Sequence, residues 1–395
     1  MAKNIVICCD GTGNQIETNL SNVLKLFRVV SKNQKQSVFY DPGVGTLAVR
    51  DAWAELRQDT KTVLGLATGY GLDDNVLGAY RFLIDNYKTD DSLYLFGFSR
   101  GAYTARVLAG LLHTIGLLRP EQANLCDYAL GAYKQAGENH DLKIAWHFQR
   151  VASARQIRIK FLGVWDTVSS VLVPRRDRFF IPSLQKLPYT RRNPSVEIFR
   201  HAMAIDERRR MFRLNHWEQP QKFVANPFDK SEEEVEQDIK QVWFAGVHSD
   251  VGGGYPEEES ALSKYPLQWL LDEASEQGLS VNTSMMNHLI KGHKRKGSQH
   301  SYIPPDPGGT LHNSMRGFWK LLEWIPKSDK LKEWPKRKSW IGWYLPKSEP
   351  RFIAEGARIH WSAIERERRV GAYKPPNLPE KYEIEGEAPK AENED

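Results

Sequence analysis

Short apolar runs alternate with helix-spaced apolar stripes through the first third of the chain. Asn4 to Cys9 is a continuous apolar run, as a strand covered on both faces requires. Ser21 to Val30 places Val23, Leu24, Phe27 and Val30 at helical spacing. Ser37 to Tyr40 forms a second strand, ended by "DPGVG", and a loose Gly-rich stretch reaches Gly71. Asp73 to Tyr87 predicts a helix with Val76, Leu77, Tyr80, Leu83 and Ile84 on one face. Leu93 to Phe96 is a third strand, and Ala102 to Leu118 a long helix. Such alternation predicts an α/β fold: a mostly parallel central sheet, right-handed crossovers and helices on both faces.

The rest of the chain extends that pattern. Glu121 to Arg150 reads as a helical insertion, and Ile157 to Val164, "IRIKFLGV", as a fourth strand. Val196 to Arg209 predicts a helix, Phe212 to Trp217 a strand, Val242 to Ala245 another strand, and Leu262 to Glu276 an amphipathic helix. Three regions follow: a core over 1–310 with its helical insertion near 120–150, a Trp/Lys-rich lid or cap with a final core element over 311–373, and an acidic tail over 374–395. The tail holds little apolar residue and predicts disorder.

One stretch carries candidate chemistry. "YLFGFSRGAYTAR" sets Ser99 between Gly97 and Gly101, after a strand and before a helix. G-x-S-x-G alone is also met by a glycine-rich turn with an inert serine; the strand–turn–helix context points to the nucleophile turn of an α/β-hydrolase. A serine hydroxyl needs a histidine to take its proton and an acid to orient that histidine. In that fold the order is serine, acid, histidine. Asp166 in "FLGVWDTVSSV" follows the fourth strand, although an acid there also suits a turn or a helix cap. His248 in "VWFAGVHSDVGGGY" follows a later strand and precedes a pliable glycine turn. His113, His201, His216 and His360 end no clear strand. Asp250 could cap a helix, hold the loop or bind an ion. The oxyanion hole needs two N–H groups: one from Arg100, after the serine, and one from Gly11 or Thr12 in "DGTGNQ", the loop after the first strand. Asp10 would lock that loop or enter the site.

Composition narrows the setting. The 395 residues carry a formal net charge of +6, too weak to argue for nucleic acid. Of the three cysteines, Cys8 and Cys9 are adjacent and point to opposite faces of a strand; with Cys126 they form neither a disulfide framework nor a zinc site. No cofactor or metal is expected. There is no signal-peptide pattern and no run of eighteen apolar residues, which predicts a cytoplasmic chain or one exported without a signal.

With these pieces assembled, the chain resembles the bacterial and fungal α/β-hydrolase domain family, formerly of unknown function, that includes the type VI secretion phospholipase effectors. "CDGTGNQ", "DPGVGT", "GYGLDDNVLGAYRFL", "GFSRGAYTARVLAG", "FLGVWDTV" and "GVHSDVGGGY" carry the resemblance, with "LSKYPLQWLLDEA" and "GARIHWSAIERER" further on. The resemblance implies an α/β-hydrolase-like fold with inserted cap or lid segments and a serine hydrolase with Ser99 as nucleophile, Asp166 as acid and His248 as base. The expected substrate is an acyl ester, either a membrane lipid at an interface or a soluble intracellular ester; a non-catalytic binding protein on the same fold is the remaining alternative. Oligomeric state is left open. Arg316 to Arg351 bears on the choice, because it holds five of the 12 tryptophans with ten basic and four acidic residues. That composition fits a membrane-interface segment or a lid that buries its tryptophans. "RRDRFF", from Arg175 to Phe180, is a second candidate loop over the site.

Overall fold

Eight strands of the computed structural model build the central sheet. The structure describes residues 2–11, 19–43, 71–139, 141–168, 172–174, 182–184, 187–224, 231, 233–316 and 318–388. The sheet strands are β1 (Asn4–Cys9), β2 (Gln36–Asp41), β3 (Ser92–Phe98), β4 (Ile159–Trp165), β5 (Val196–Ala204), β6 (Asp238–Phe244), β7 (Ala357–His360) and β8 (Tyr382–Glu385). Their order is β8-β7-β6-β5-β4-β3-β1-β2, and every neighbouring pair is parallel. This is the large parallel sheet of an α/β-hydrolase-like fold.

Strand alternation divides the core into two layers. Ile5, Ile7, Cys9, Leu93 and Leu95 meet one layer of helices. These are α2 (Leu72–Asn86), α3 (Arg100–Thr114), α4 (Cys126–Asn139) and α5 (Lys143–Ala152). Val6, Cys8, Tyr94 and Phe96 meet the other layer, formed by α1 (Asn22–Val29) and, beyond the short α6 (His248–Gly252), by α7 (Lys264–Glu276). Cys8 and Cys9 therefore lie in different layers, and all three cysteines are buried and free.

Three sequence expectations fail here. The segment 196–209 is not a helix: its first nine residues are β5, between β4 and β6. Its polar residues at helix-like spacing are satisfied across the sheet. Arg200 binds Asp238 and Glu273, Glu197 binds Lys160, and His201 accepts the Thr167 N–H. The tail over 374–395 is not wholly disordered, because β8 pairs with β7. Glu385 anchors it, accepting from Trp269 and pairing with Lys240 and Arg358. The 212–217 segment makes only an isolated bridge, Leu214 to Val168, and no strand. The Arg175–Phe180 loop and most of the Gly-rich stretch lie outside the described residues.

Beyond residue 311 the chain adds a short helix (Phe318–Leu322) and a small hairpin of Lys327–Ser328 with Trp343–Tyr344, then returns to the sheet as β7. Asp10, Ser99, Asp166 and His248 each follow a strand, so all four stand at the carboxyl edge of the sheet, where open α/β folds place their sites.

Candidate active site

β3 delivers Ser99 to this edge and α3 leaves from it. Between them Ser99 adopts φ 55° and ψ −117°, a conformation that a residue with a side chain holds only when its surroundings impose it. The flanking glycines show how. A Cβ on Gly101 would lie 2.1 Å from the Cys9 carbonyl oxygen, and one on Gly97 would lie 2.4 Å from that of Gly101. Helix and strand thus approach too closely for any side chain at either position. The Ser99 N–H is fixed by the Trp165 carbonyl at 3.2 Å, which ties the turn to the end of β4.

β6 and α6 bring His248 against the serine. Its Nε2 lies 2.8 Å from Ser99 Oγ, and its Nδ1 lies 2.5 Å from Asp166 Oδ2. Phe98 and Phe212 pack on the imidazole at ring distances of 4.7 and 4.8 Å. Burial pulls the His248 pKa below its ordinary value against the opposing pull of Asp166, so the ring is neutral near pH 7. Burial alone would raise the Asp166 carboxyl, but the charge of Arg351 and the bonds from His248 and Arg351 hold it well below the usual carboxylate range. An ionised Asp166 accepts from Nδ1–H, which leaves the Nε2 lone pair facing the hydroxyl.

Sequence reasoning missed the groups behind this trio. Arg351 grips Asp166 with two nitrogens, at 2.6 and 3.0 Å, and both side chains are buried. Asp166 Oδ1 also accepts the Ala204 N–H at 2.9 Å. Glu207, at the end of β5, accepts the His248 N–H at 3.2 Å and is paired with Arg209. Burial would raise Glu207, yet Arg209 brings it down to about 2. Arg351 lies 185 positions from Asp166 in sequence. Within the basic run it resembles any other surface charge, and no local pattern marks it. Glu207 sits in the segment misread as a helix.

The remaining expected residues divide. Asp10 is buried and binds its own loop: Oδ1 accepts the Gly11 N–H at 2.7 Å, and Oδ2 accepts from Ser21 Oγ and from Tyr40 Oη. Gly11 stands over the serine, close enough that a Cβ there would lie 3.5 Å from Ser99 Cβ. Its N–H donates to Asp10 Oδ1. Thr12 lies outside the described residues. The Arg100 N–H opens α3 next to Ser99. Asp250 does not reach the trio; it accepts the Val247 N–H at 3.0 Å and binds His312 Nδ1 at 2.6 Å, which holds α6 and its loop. His201 is buried behind Asp166, accepting the Thr167 N–H at 3.1 Å. His113 and His360 are buried against Ser195 and Ser362.

Comparison with known proteins assigns the family. A family described as "T6SS, Phospholipase effector Tle1-like, catalytic domain" matches residues 3–273, and the chain belongs to it. This is a family of phospholipase effectors, hence of lipolytic hydrolases. An uncharacterized protein of Saccharomyces cerevisiae, YEL023C, is 24% identical over an alignment covering 96% of this chain and 81% of its own length. Two solved structures are similar. One is an uncharacterized protein from Pseudomonas aeruginosa, with 20% identity, a TM-score of 0.41 and coverage of 72% of this chain and 47% of its own. The other is the Tle1 effector bound to the VgrG spike of the type 6 secretion system, with 18% identity, a TM-score of 0.35 and coverage of 66% and 53%. The chain thus spans about half the length of each of these two structures. Among the described residues no helix is long and apolar enough to cross a membrane.

Proposed function

We propose that this member of the Tle1-like family is a serine hydrolase that cleaves a carboxylic ester bond of phospholipids through an acyl-enzyme. The observation that carries the reading is the unbroken contact from Ser99 Oγ to His248 Nε2 at 2.8 Å and from His248 Nδ1 to Asp166 at 2.5 Å, set on a strained strand-to-helix turn. Ser99 Oγ attacks the ester carbonyl carbon while His248 Nε2 takes its proton. The C=O electron pair moves onto the oxygen, and the Arg100 N–H, with a second N–H from the loop after β1, Gly11 or Thr12, stabilises that oxyanion. When the tetrahedral adduct collapses, His248 returns the proton to the departing alkoxide, and the acyl group remains on Ser99. Water, deprotonated by His248, then attacks the acyl carbon, and collapse of this second adduct releases the carboxylic acid as His248 returns the proton to the departing Ser99 Oγ. Asp166 fixes the imidazole tautomer and stabilises the imidazolium.

The test is product analysis. The full chain is incubated with mixed phospholipid vesicles and, separately, with short soluble esters, beside Ser99→Ala. Free fatty acid and lysophospholipid should accumulate with the unsubstituted chain only. Turnover of soluble esters without any phospholipid cleavage would replace the lipid reading with that of an esterase on a soluble acyl substrate.

A further inference from the structure

The tryptophan-rich segment has an inner and an outer side, and the two differ in charge. Its inner side is clamped to the active-site rim. Trp319 packs on Phe212, which packs on His248, and Arg351 holds Asp166. Glu323 accepts the Arg210 N–H at 2.7 Å, and Glu333 and Glu349 pair with Arg213. Three of the segment's four carboxylates are thereby turned inward. The outer side keeps the lysines: Lys336, Lys338 and Lys347 are exposed and pair with no carboxylate among the described residues.

Between these lysines the apolar side chains point to solvent. Trp340 is 80% exposed, Ile341 77%, Trp324 63% and Trp343 54%. Lys347 sits over the Trp324 ring at 5.5 Å, and a groove of about 720 Å³ runs between Trp340, Trp343 and the lysines. The turn itself is tight, with mutual backbone bonds between Trp340 and Trp343 of 2.7 and 3.0 Å. Ile341 and Gly342 both take positive φ, 49° and 75°. This geometry favours Asn-Gly, and a β-branched residue pays strain to occupy the first position. A strained isoleucine, exposed at the tip between two exposed tryptophans, serves neither the turn nor the core.

We propose that this turn and its lysine collar dock on an anionic lipid bilayer, with Trp340, Ile341 and Trp343 entering the headgroup boundary and the lysines facing lipid phosphates; the inference rests on the lipolytic reading above. Tryptophan at the interface and lysine toward anionic headgroups are the side chains such a surface selects. Because the same segment holds Asp166 through Arg351 and packs Trp319 on Phe212, the neighbour of His248, docking there brings the active site to the lipid.

Vesicle binding by the full chain carrying Ser99→Ala, which leaves the lipid intact, tests this at low and physiological salt. Two variants are compared with it on anionic (phosphatidylcholine/phosphatidylglycerol) and zwitterionic (phosphatidylcholine) vesicles. Neutralising Lys336, Lys338 and Lys347 to Gln should weaken binding to anionic vesicles about a hundredfold at low salt, and less as salt screens the charges. Ile341→Asn should weaken binding roughly tenfold while keeping or raising thermal stability, since Asn suits the left-handed turn. With Ser99 restored, both variants should hydrolyse a short soluble ester at the unsubstituted rate. Failure of the Ser99→Ala chain to bind anionic vesicles would overturn the proposal and leave the turn to an acidic protein surface. Binding unaffected by both variants would overturn it equally. Vesicle binding that responds as expected, in a chain that cleaves no ester, would support docking and count against the hydrolase reading instead.

Discussion

At the scale of single residues, the site depends on conformations and charges that cost stability. Ser99 pays for its φ of 55°. Ser99→Ala and Ser99→Gly both remove the hydroxyl, but only glycine relieves the backbone. Ser99→Gly should therefore be the more stable of the two by about 1 kcal/mol, the relieved strain less the flexibility glycine gains when unfolded. Urea unfolding of the pair measures this, and an alanine variant at least as stable would show that the turn is unstrained. Arg351→Met strands the buried Asp166 charge and should cost about 3–5 kcal/mol of stability, as breaking one partner of a buried pair does. It should also lower kcat, since Asp166 loses part of its hold. Asp166→Asn should cut kcat by roughly 10³ or more, and the double variant should lose much less than the two losses multiplied. In the proposed mechanism His248 takes a proton only when neutral, and burial lowers its pKa. Activity should consequently fall only as pH drops through that lowered value, so the acidic limb of kcat/KM on a soluble ester should lie below about 6.5. A limb above 7 would mean that the imidazole is not the buried, neutral group described. Ser99, Asp166 and His248 were legible because strand ends and glycines flank them in the expected order. Arg351 was not, since a long-range ion pair leaves no mark on its neighbours in sequence.

At the scale of elements, close approach decides what the turns tolerate. Gly101 touches the end of β1, and its missing Cβ would collide with backbone, which yields less than a flexible side chain. Gly101→Ala should cost about 3 kcal/mol or more and displace Ser99 from His248; a fully active, equally stable variant would contradict the packing. The apolar runs of β1 to β4 could be read because strands covered on both faces carry little else. β5 could not, because Glu197, Arg200 and His201 mimic a helical polar stripe. Only their partners on neighbouring elements, Lys160, Asp238, Glu273 and the Thr167 N–H, show that they belong to a strand. The tryptophan-rich segment combined both readings offered by its composition. Trp319 is buried as in a lid, whereas Trp324, Trp340 and Trp343 are exposed as at an interface.

At the scale of the whole molecule, the sheet gathers residues from 10 to 351 at one edge, and its closing strand β8 comes from a tail whose composition promised none. Burial has a further consequence for acid stability. His113, His201, His216, His248 and His360 all have pKa values lowered chiefly by burial, to about 4 for His113 and His216 and about 3 for His360. The unfolded chain takes up these protons first, so each histidine's contribution is intact above about pH 6.5 and is lost as pH falls toward the folded value. Asp41, Asp206 and Asp272 are raised by burial and oppose the effect, Asp206 up to about 6. The lowered carboxyls of Asp166 and Glu207 add to the histidines at the acidic end, so stability should fall as pH drops below about 6.5. Thermal melts at pH 7 and pH 5 should show a clear drop, and equal melting temperatures would mean that these rings are hydrated. The central claim, that Ser99 is the nucleophile of a working trio, is tested most directly by reacting the full chain with a fluorophosphonate and mapping the adduct by peptide mass spectrometry. The adduct should fall on Ser99 alone and vanish in Ser99→Ala and His248→Ala; an adduct on another serine, or none in an active preparation, would contradict it.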